Sequence, residues 1–207
     1  GIDYVSDGEW RRESYVKVFA EHVTGFTLDA KQSVGANVTD PIVTAPIEQH
    51  SDLATKAAQY LLQRATGRTI VALPSPYILG WRLWKAELST GAYPTREEFM
   101  QACIPIVRQE IRKLTQLGVD HVQLDEPWLL MIADPAIREQ IGAGDLAGEI
   151  DLCIRTINET VTGLEVPLSM HLCHGHFNRR RSSDTGYEPI IEALSDIQVG
   201  RFAMEFA

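Results

Sequence analysis

The sequence predicts an α/β fold of the (β/α)8 barrel (TIM barrel) type, of which only part is visible in this chain. Three observations lead there. Short apolar strand segments alternate with longer amphipathic segments, the pattern of parallel strands joined by helical crossovers. Polar and acidic residues stand just after the carboxyl ends of several strands: Asp7 and Glu9, Ser75, Asp125 and Glu126, His171 and Cys173, and Glu205. A barrel whose loops converge on one mouth explains such a set better than a single crevice in an open sheet. Five strand candidates are found, whereas a closed barrel needs eight strands and typically about 250 residues.

In chain order, the strands are read at Ile2–Ser6, Thr69–Leu73, His121–Leu124, Leu168–Cys173 and Arg201–Phe206. Between the first two, residues 24–49 mix Val, Thr, Pro and Gly and suggest a hairpin over the mouth, and residues 52–65 suggest a short helix. Thr95-Arg96-Glu97-Glu98 is a capping box, in which hydroxyl and carboxylate satisfy the free amides of a helix start. Phe99, Cys103, Ile106, Val107, Leu114 and Leu117 then recur at helical spacing up to Gly118, with Pro105 expected to kink the helix or end its first segment. Leu146, Ile150, Cys153, Ile154, Ile157 and Val161 mark a second long helix ending near Gly163, and Tyr187–Leu194 a short one.

Nineteen basic residues against 28 acidic ones give a formal charge of −9, which argues against a broad nucleic-acid footprint. No stretch approaches the roughly 18 consecutive apolar residues of a membrane span, and the N-terminus lacks a signal-peptide core. The expectation is a cytoplasmic protein that binds neither nucleic acid nor membrane, with residues 1–207 as one partial barrel domain. Neither G-x-G-x-x-G nor G-x-x-x-x-G-K-[ST] occurs, which lowers the dinucleotide and nucleoside triphosphate readings. Three cysteines make no disulfide framework. Cys103 and Cys153 fall on apolar helix stripes and read as small core hydrophobes.

His171-Leu172-Cys173 is the sharpest local signal, because residues i and i+2 of a strand share a face. Imidazole and thiolate together suit zinc; the alternative is a core thiol beside a hydrogen-bonded histidine. His174 and His176 add further candidate ligands, more readily placed toward solvent or substrate. Glu205 is the candidate third ligand, as a carboxylate at the end of an apolar strand, with a salt bridge to an arginine as the alternative. Asp125-Glu126-Pro127 and Asp7-Gly8-Glu9 each follow a strand, and Pro127 keeps Glu126 extended. Converging carboxylates can bind an ammonium, exchange protons or hold a hard metal, or serve as ion pairs and turn caps. Trp81 and Trp84 can wall a flat ligand or pack in the core. Arg179-Arg180-Arg181 is a basic run that suits either an acidic substrate tail or a solvated loop.

In this order the pieces resemble the catalytic barrel of cobalamin-independent methionine synthase and its shorter single-barrel relatives. GIDYVSDGEWRRESYVKVFAE is similar to the family's strand ending in G-E, followed by an arginine and a Y-F helix segment; LPSPYILGW resembles its G-P-V-T-x-L-x-W turn, one residue shorter and with Ser75 for glycine. HVQLDEPWL matches Q-x-D-E-P, MHLCHGHFN matches H-x-C-x-x-x-F-N, and a later strand with a glutamate is AMEFA. The resemblance implies that His171, Cys173 and Glu205 ligate zinc (Zn2+), and that Glu9 and Asp125 bind the amino group of the thiol substrate, homocysteine in the synthase. Glu126 and Ser75 complete the expected substrate-binding set, and Trp81 is expected near the pterin of a methyltetrahydrofolate donor. Zinc would stabilise a thiolate at neutral pH, and two carboxylates would aim its sulfur at the methyl carbon.

The chain departs from the family in lacking the opening strand, the last two strands and the second zinc cysteine, and in a longer loop after the zinc strand. Its hairpin sequence, VGANVTDPIVTAPIEQ, lacks the family's aromatic residues. The expected function is methyl transfer from 5-methyltetrahydrofolate, or a related donor, to the homocysteine thiol in methionine synthesis. The alternatives are a zinc-thiolate alkyltransferase using another thiol or electrophile, such as an epoxide, and a non-catalytic incomplete barrel. Small-molecule substrates are the expected partners, and a homo-oligomer is compatible with this reading. Unpaired edge strands are expected at both ends of the sheet, covered by further chain or a partner.

Overall fold

A computed structural model describes residues 2–33, 39–177 and 180–206. In chain order the elements are β1 (Tyr4–Val5), α1 (Lys17–His22), β2 (Phe26–Ser33), β3 (Thr39–Val43), α2 (Thr55–Leu62), β4 (Arg68–Pro74), α3 (Pro76–Leu83), α4 (Ala86–Ser89) and α5 (Arg96–Leu117). There follow β5 (His121–Asp125), α6 (Trp128–Ala133), α7 (Pro135–Gln140), α8 (Leu146–Val161), β6 (Leu168–Leu172), β7 (His176–Phe177), β8 (Arg180–Arg181), a 3-10 turn (Ala193–Asp196) and β9 (Arg201–Met204).

The five strands read from the sequence form one parallel sheet in the order β1-β4-β5-β6-β9, half of a barrel. Among the described residues β1 and β9 each pair on one side only, as expected of an open sheet. Register pairs Ala72 with Gln123, Gln123 with Ser169, Asp125 with His171, and His171 with Ala203. These residues therefore share the inner face. The opposite face carries Val71, Leu73, Val122, Leu124, Met170 and Leu172, which join one core with Phe99, Cys103, Ile111, Cys153 and Ile157 of α5 and α8. Helices thus cover one side of the sheet and position the strand ends of the other.

Local chemistry accounts for the helix limits. Thr95 Oγ1 accepts the Glu98 amide at 3.1 Å, and Gly118 (φ 92°) closes α5 with its left-handed turn. Of the two outcomes expected at Pro105, ending the helix is not the one found, because α5 runs through it. It lies on the exposed side, while Cys103, Ile104, Ile106 and Val107 around it are buried and hold both halves in place. Tyr187–Leu194 is likewise not an α-helix; the bonds Ile191 N–H to Tyr187 and Leu194 N–H to Ile190 are not consecutive, and only the 3-10 turn follows. Residues 24–49 do contain an antiparallel hairpin, β2 with β3, seated on α1, α3 and α4, although residues 34–38 lie outside the described ones. α3 lies close against α5, since a Cβ at Gly80 would overlap the Met100 side chain. Among the described residues no helix is long and apolar enough to cross a membrane.

Candidate active site

The strand ends gather the polar residues in two groups on opposite faces. On the inner face, Asp125 Oδ1 accepts the Gln123 amide at 2.8 Å and lies 3.2 Å from His171 Nδ1. His171 also bonds to Cys173, and these two partners push its pKa up to about 10 against the opposing effect of burial. Cys173 is partly exposed, whereas Cys103 and Cys153 are fully buried and burial pushes both their thiols far up. The turn after β1 brings Glu9 into range of Asp125 and His171. Burial, Asp125 and Asp7 raise the Glu9 carboxyl, while Arg12 and His171 lower it. The predicted pair of ammonium-binding carboxylates and the His171–Cys173 pair are therefore neighbours.

On the other face, Ser75 and Glu126 are both fully buried and bonded to each other. Ser75 caps α3 by accepting the Ile78 amide at 3.1 Å; Glu126 accepts the Trp128 amide of α6 at 3.1 Å. Burial pushes the Glu126 carboxyl up to about 8, although Ser75 and the helix amides pull the other way. With no exposed surface, these two residues join strand ends to helix starts in this structure. Trp81 is similarly packed. The Arg96 guanidinium covers its ring at 3.6 Å, Trp128 stands 6.4 Å away, and Arg96 is held in turn by Glu149, which accepts the Tyr77 hydroxyl at 2.7 Å.

Glu205, just past β9, ion-pairs with Arg181 at 3.1 Å and has His174 Nδ1 3.3 Å away. Its backbone amide donates to the Tyr187 hydroxyl, which itself donates to the Leu172 carbonyl. The arginine alternative is thus realised in this structure, and among the described residues no group of three or more His, Cys, Asp or Glu is placed to hold one metal ion. The donor chemistry for zinc is present as a half-site of His171 and Cys173. Arg179 and the His176 side chain lie outside the described residues.

Sequence reading missed two neighbours of the site. Arg12, on the turn after β1, donates to Glu9 at 3.3 Å and to the Ala72 carbonyl at 2.8 Å. The Tyr15 hydroxyl is within electrostatic reach of Arg82, Glu126, Asp125 and Cys173, and burial holds it far above its ordinary pKa. The only signal for either was the arginine and tyrosine that follow G-E in the chain.

The profile of the cobalamin-independent synthase catalytic domain matches residues 1–188. A methionine synthase of Pyrococcus abyssi is 26% identical, over 100% of this chain and 54% of its own length. A 5-methyltetrahydropteroyltriglutamate–homocysteine methyltransferase of Aliivibrio fischeri is 29% identical, over 86% of this chain and 22% of its own. Among solved structures, the B12-independent methionine synthase from Shewanella sp. W3-18-1 in complex with selenomethionine superimposes with a TM-score of 0.75 at 23% identity, covering 98% of this chain and 57% of that one. The chain spans about half the length of the Pyrococcus relative. With the five-stranded half-barrel and the matched profile together, the chain belongs to the cobalamin-independent synthase catalytic-domain family.

Proposed function

We propose that this site serves zinc-dependent methyl transfer from 5-methyltetrahydrofolate to the thiol of homocysteine. The observation that carries the reading is the placement of His171 and Cys173 beside Asp125 and Glu9, at adjoining strand ends of one face. His171 and Cys173 would hold the ion; the Asp125 bond engages Nδ1 and leaves Nε2 as the donor atom. When bound, zinc would keep the substrate thiol ionised at neutral pH. Glu9 and Asp125 then receive the ammonium group from two sides, which restricts how the sulfur can point. Asp125 thus has two tasks, orienting His171 and facing the substrate. On this reading the protein works in the cytoplasm on small soluble substrates, without nucleic acid or membrane.

The covered ring of Trp81 favours a second reading, in which the same thiol chemistry meets an electrophile that is not a pterin. Turnover of another methyl donor or an epoxide without any folate supports it. The test of the main reading is zinc content together with methyl transfer to homocysteine, in wild type and Cys173→Ser. Stoichiometric zinc lost with activity in the variant is expected. Absence of zinc from the wild type, with unchanged activity in the variant, overturns the reading.

A further inference from the structure

We propose that Arg12 is the positioning residue for Glu9, tying the turn after β1 to the inner side of β4 and holding the Glu9 carboxylate opposite Asp125 and His171. The inference rests on the reading that Glu9 and Asp125 take a substrate ammonium. The turn itself is an unfavourable one. Gly8 (φ 66°) and Glu9 (φ 54°) are both in the left-handed region, which a residue with a side chain rarely adopts. Its internal bonds, Gly8 N–H to Ser6 Oγ, Glu9 N–H to Asp7 Oδ1 and Arg12 N–H to Glu9 O, shape the turn without fastening it to the sheet.

Arg12 provides that fastening. β1 is two residues long and pairs only with Arg68 and Thr69, so β4 runs on past it. The Arg12 guanidinium reaches into that stretch, donating from Nη1 to the Ala72 carbonyl at 2.8 Å and to Glu9 Oε1 at 3.3 Å, with its side chain only 5% exposed. Among the described residues its Nη2 is buried with no hydrogen-bond partner, so Nη1 makes both bonds. The groups facing Glu9 are Asp7 from its own turn, Arg12, Asp125 from β5 and His171 from β6. Two of these are acids that, with burial, favour a neutral carboxyl, and the bonded cation that opposes them is Arg12.

Arg12→Met, Arg12→Lys, Glu9→Gln and the double variant Arg12→Met/Glu9→Gln test this on the 207-residue chain. Homocysteine binding is followed by calorimetry against pH, and the Glu9 side-chain carboxyl by carbon-13 NMR. In Arg12→Met we expect binding at neutral pH to weaken by about tenfold or more. The pH at which binding is lost on acidification should move upward, and Glu9 should titrate higher. Arg12→Lys should recover part of each effect, and serves alone if the methionine variant does not fold. In the Glu9→Gln background, removing Arg12 should change little further. An equal loss in that background, or an unmoved Glu9 titration, overturns the proposal. If the wild type binds no amino thiol, the ammonium reading falls, while the Glu9 titration still decides the role of Arg12.

Discussion

Asp125 and Glu126 are adjacent acids at one strand end, yet they live in different surroundings. Asp125 is on the inner face with Gln123 and His171 as partners, near Glu9 and the partly exposed Cys173. Glu126 is turned to the helices, fully buried, bonded to Ser75 and to the first amide of α6. The difference follows from the period of two along a strand: one step along the backbone exchanges the inner face for the packed one. A carboxylate's chemistry is thus set by which face receives it, and two acids in a row supply one group for the site and one for its foundation.

Thiol labelling should give the largest contrast, with Cys173 on the inner side modified at least about a thousandfold faster than buried Cys103 and Cys153; similar rates for all three would contradict the assignment of faces. Next, Asp125→Asn should reduce kcat/KM by about a hundredfold, since it removes the charge from the proposed ammonium pair and from the acceptor of His171, with thermal stability nearly unchanged. Glu126→Ala should show the reverse pattern, a loss of about 1–3 kcal/mol in urea unfolding from the unpaired Ser75 and helix amide. The smallest effect is in pH dependence. Because burial raises the folded Glu126 pKa to about 8 from an ordinary 4.5, its contribution to stability is complete below the lower value and fades as pH rises toward the upper one. Glu126→Gln should flatten that decline, by at most about 1.4 kcal/mol per pH unit; an unchanged slope would show that Glu126 ionises freely in the fold.

Much of this was legible in the sequence, for identifiable reasons. Strand–helix alternation located all five sheet strands, and the i, i+2 spacing of His171 and Cys173 placed them together on the inner face. The same parity rule, applied to His121, Gln123 and Asp125, puts Glu126 on the face opposite Asp125. Arg12 and Tyr15 were not legible, because they reach the site from a turn and the segment after it, where no periodicity dictates direction. Glu205 shows the limit of reading a charge from its strand. Its partners Arg181 and His174 belong to a loop whose path the sequence does not fix. At Pro105 propensity alone allowed a stop, and the packing of its apolar neighbours carries α5 through it.

Gly80 gives the outer face a further significance. Because it has no side chain, α3 can rest on Met100 of α5, and α3, capped by Ser75, carries Trp81 one residue beyond the glycine. A methyl group there would meet Cε and Cγ of the buried Met100, so the thioether must yield or α3 must shift away from α5. The spacing of the two helices behind the sheet thus depends on a residue with no side chain.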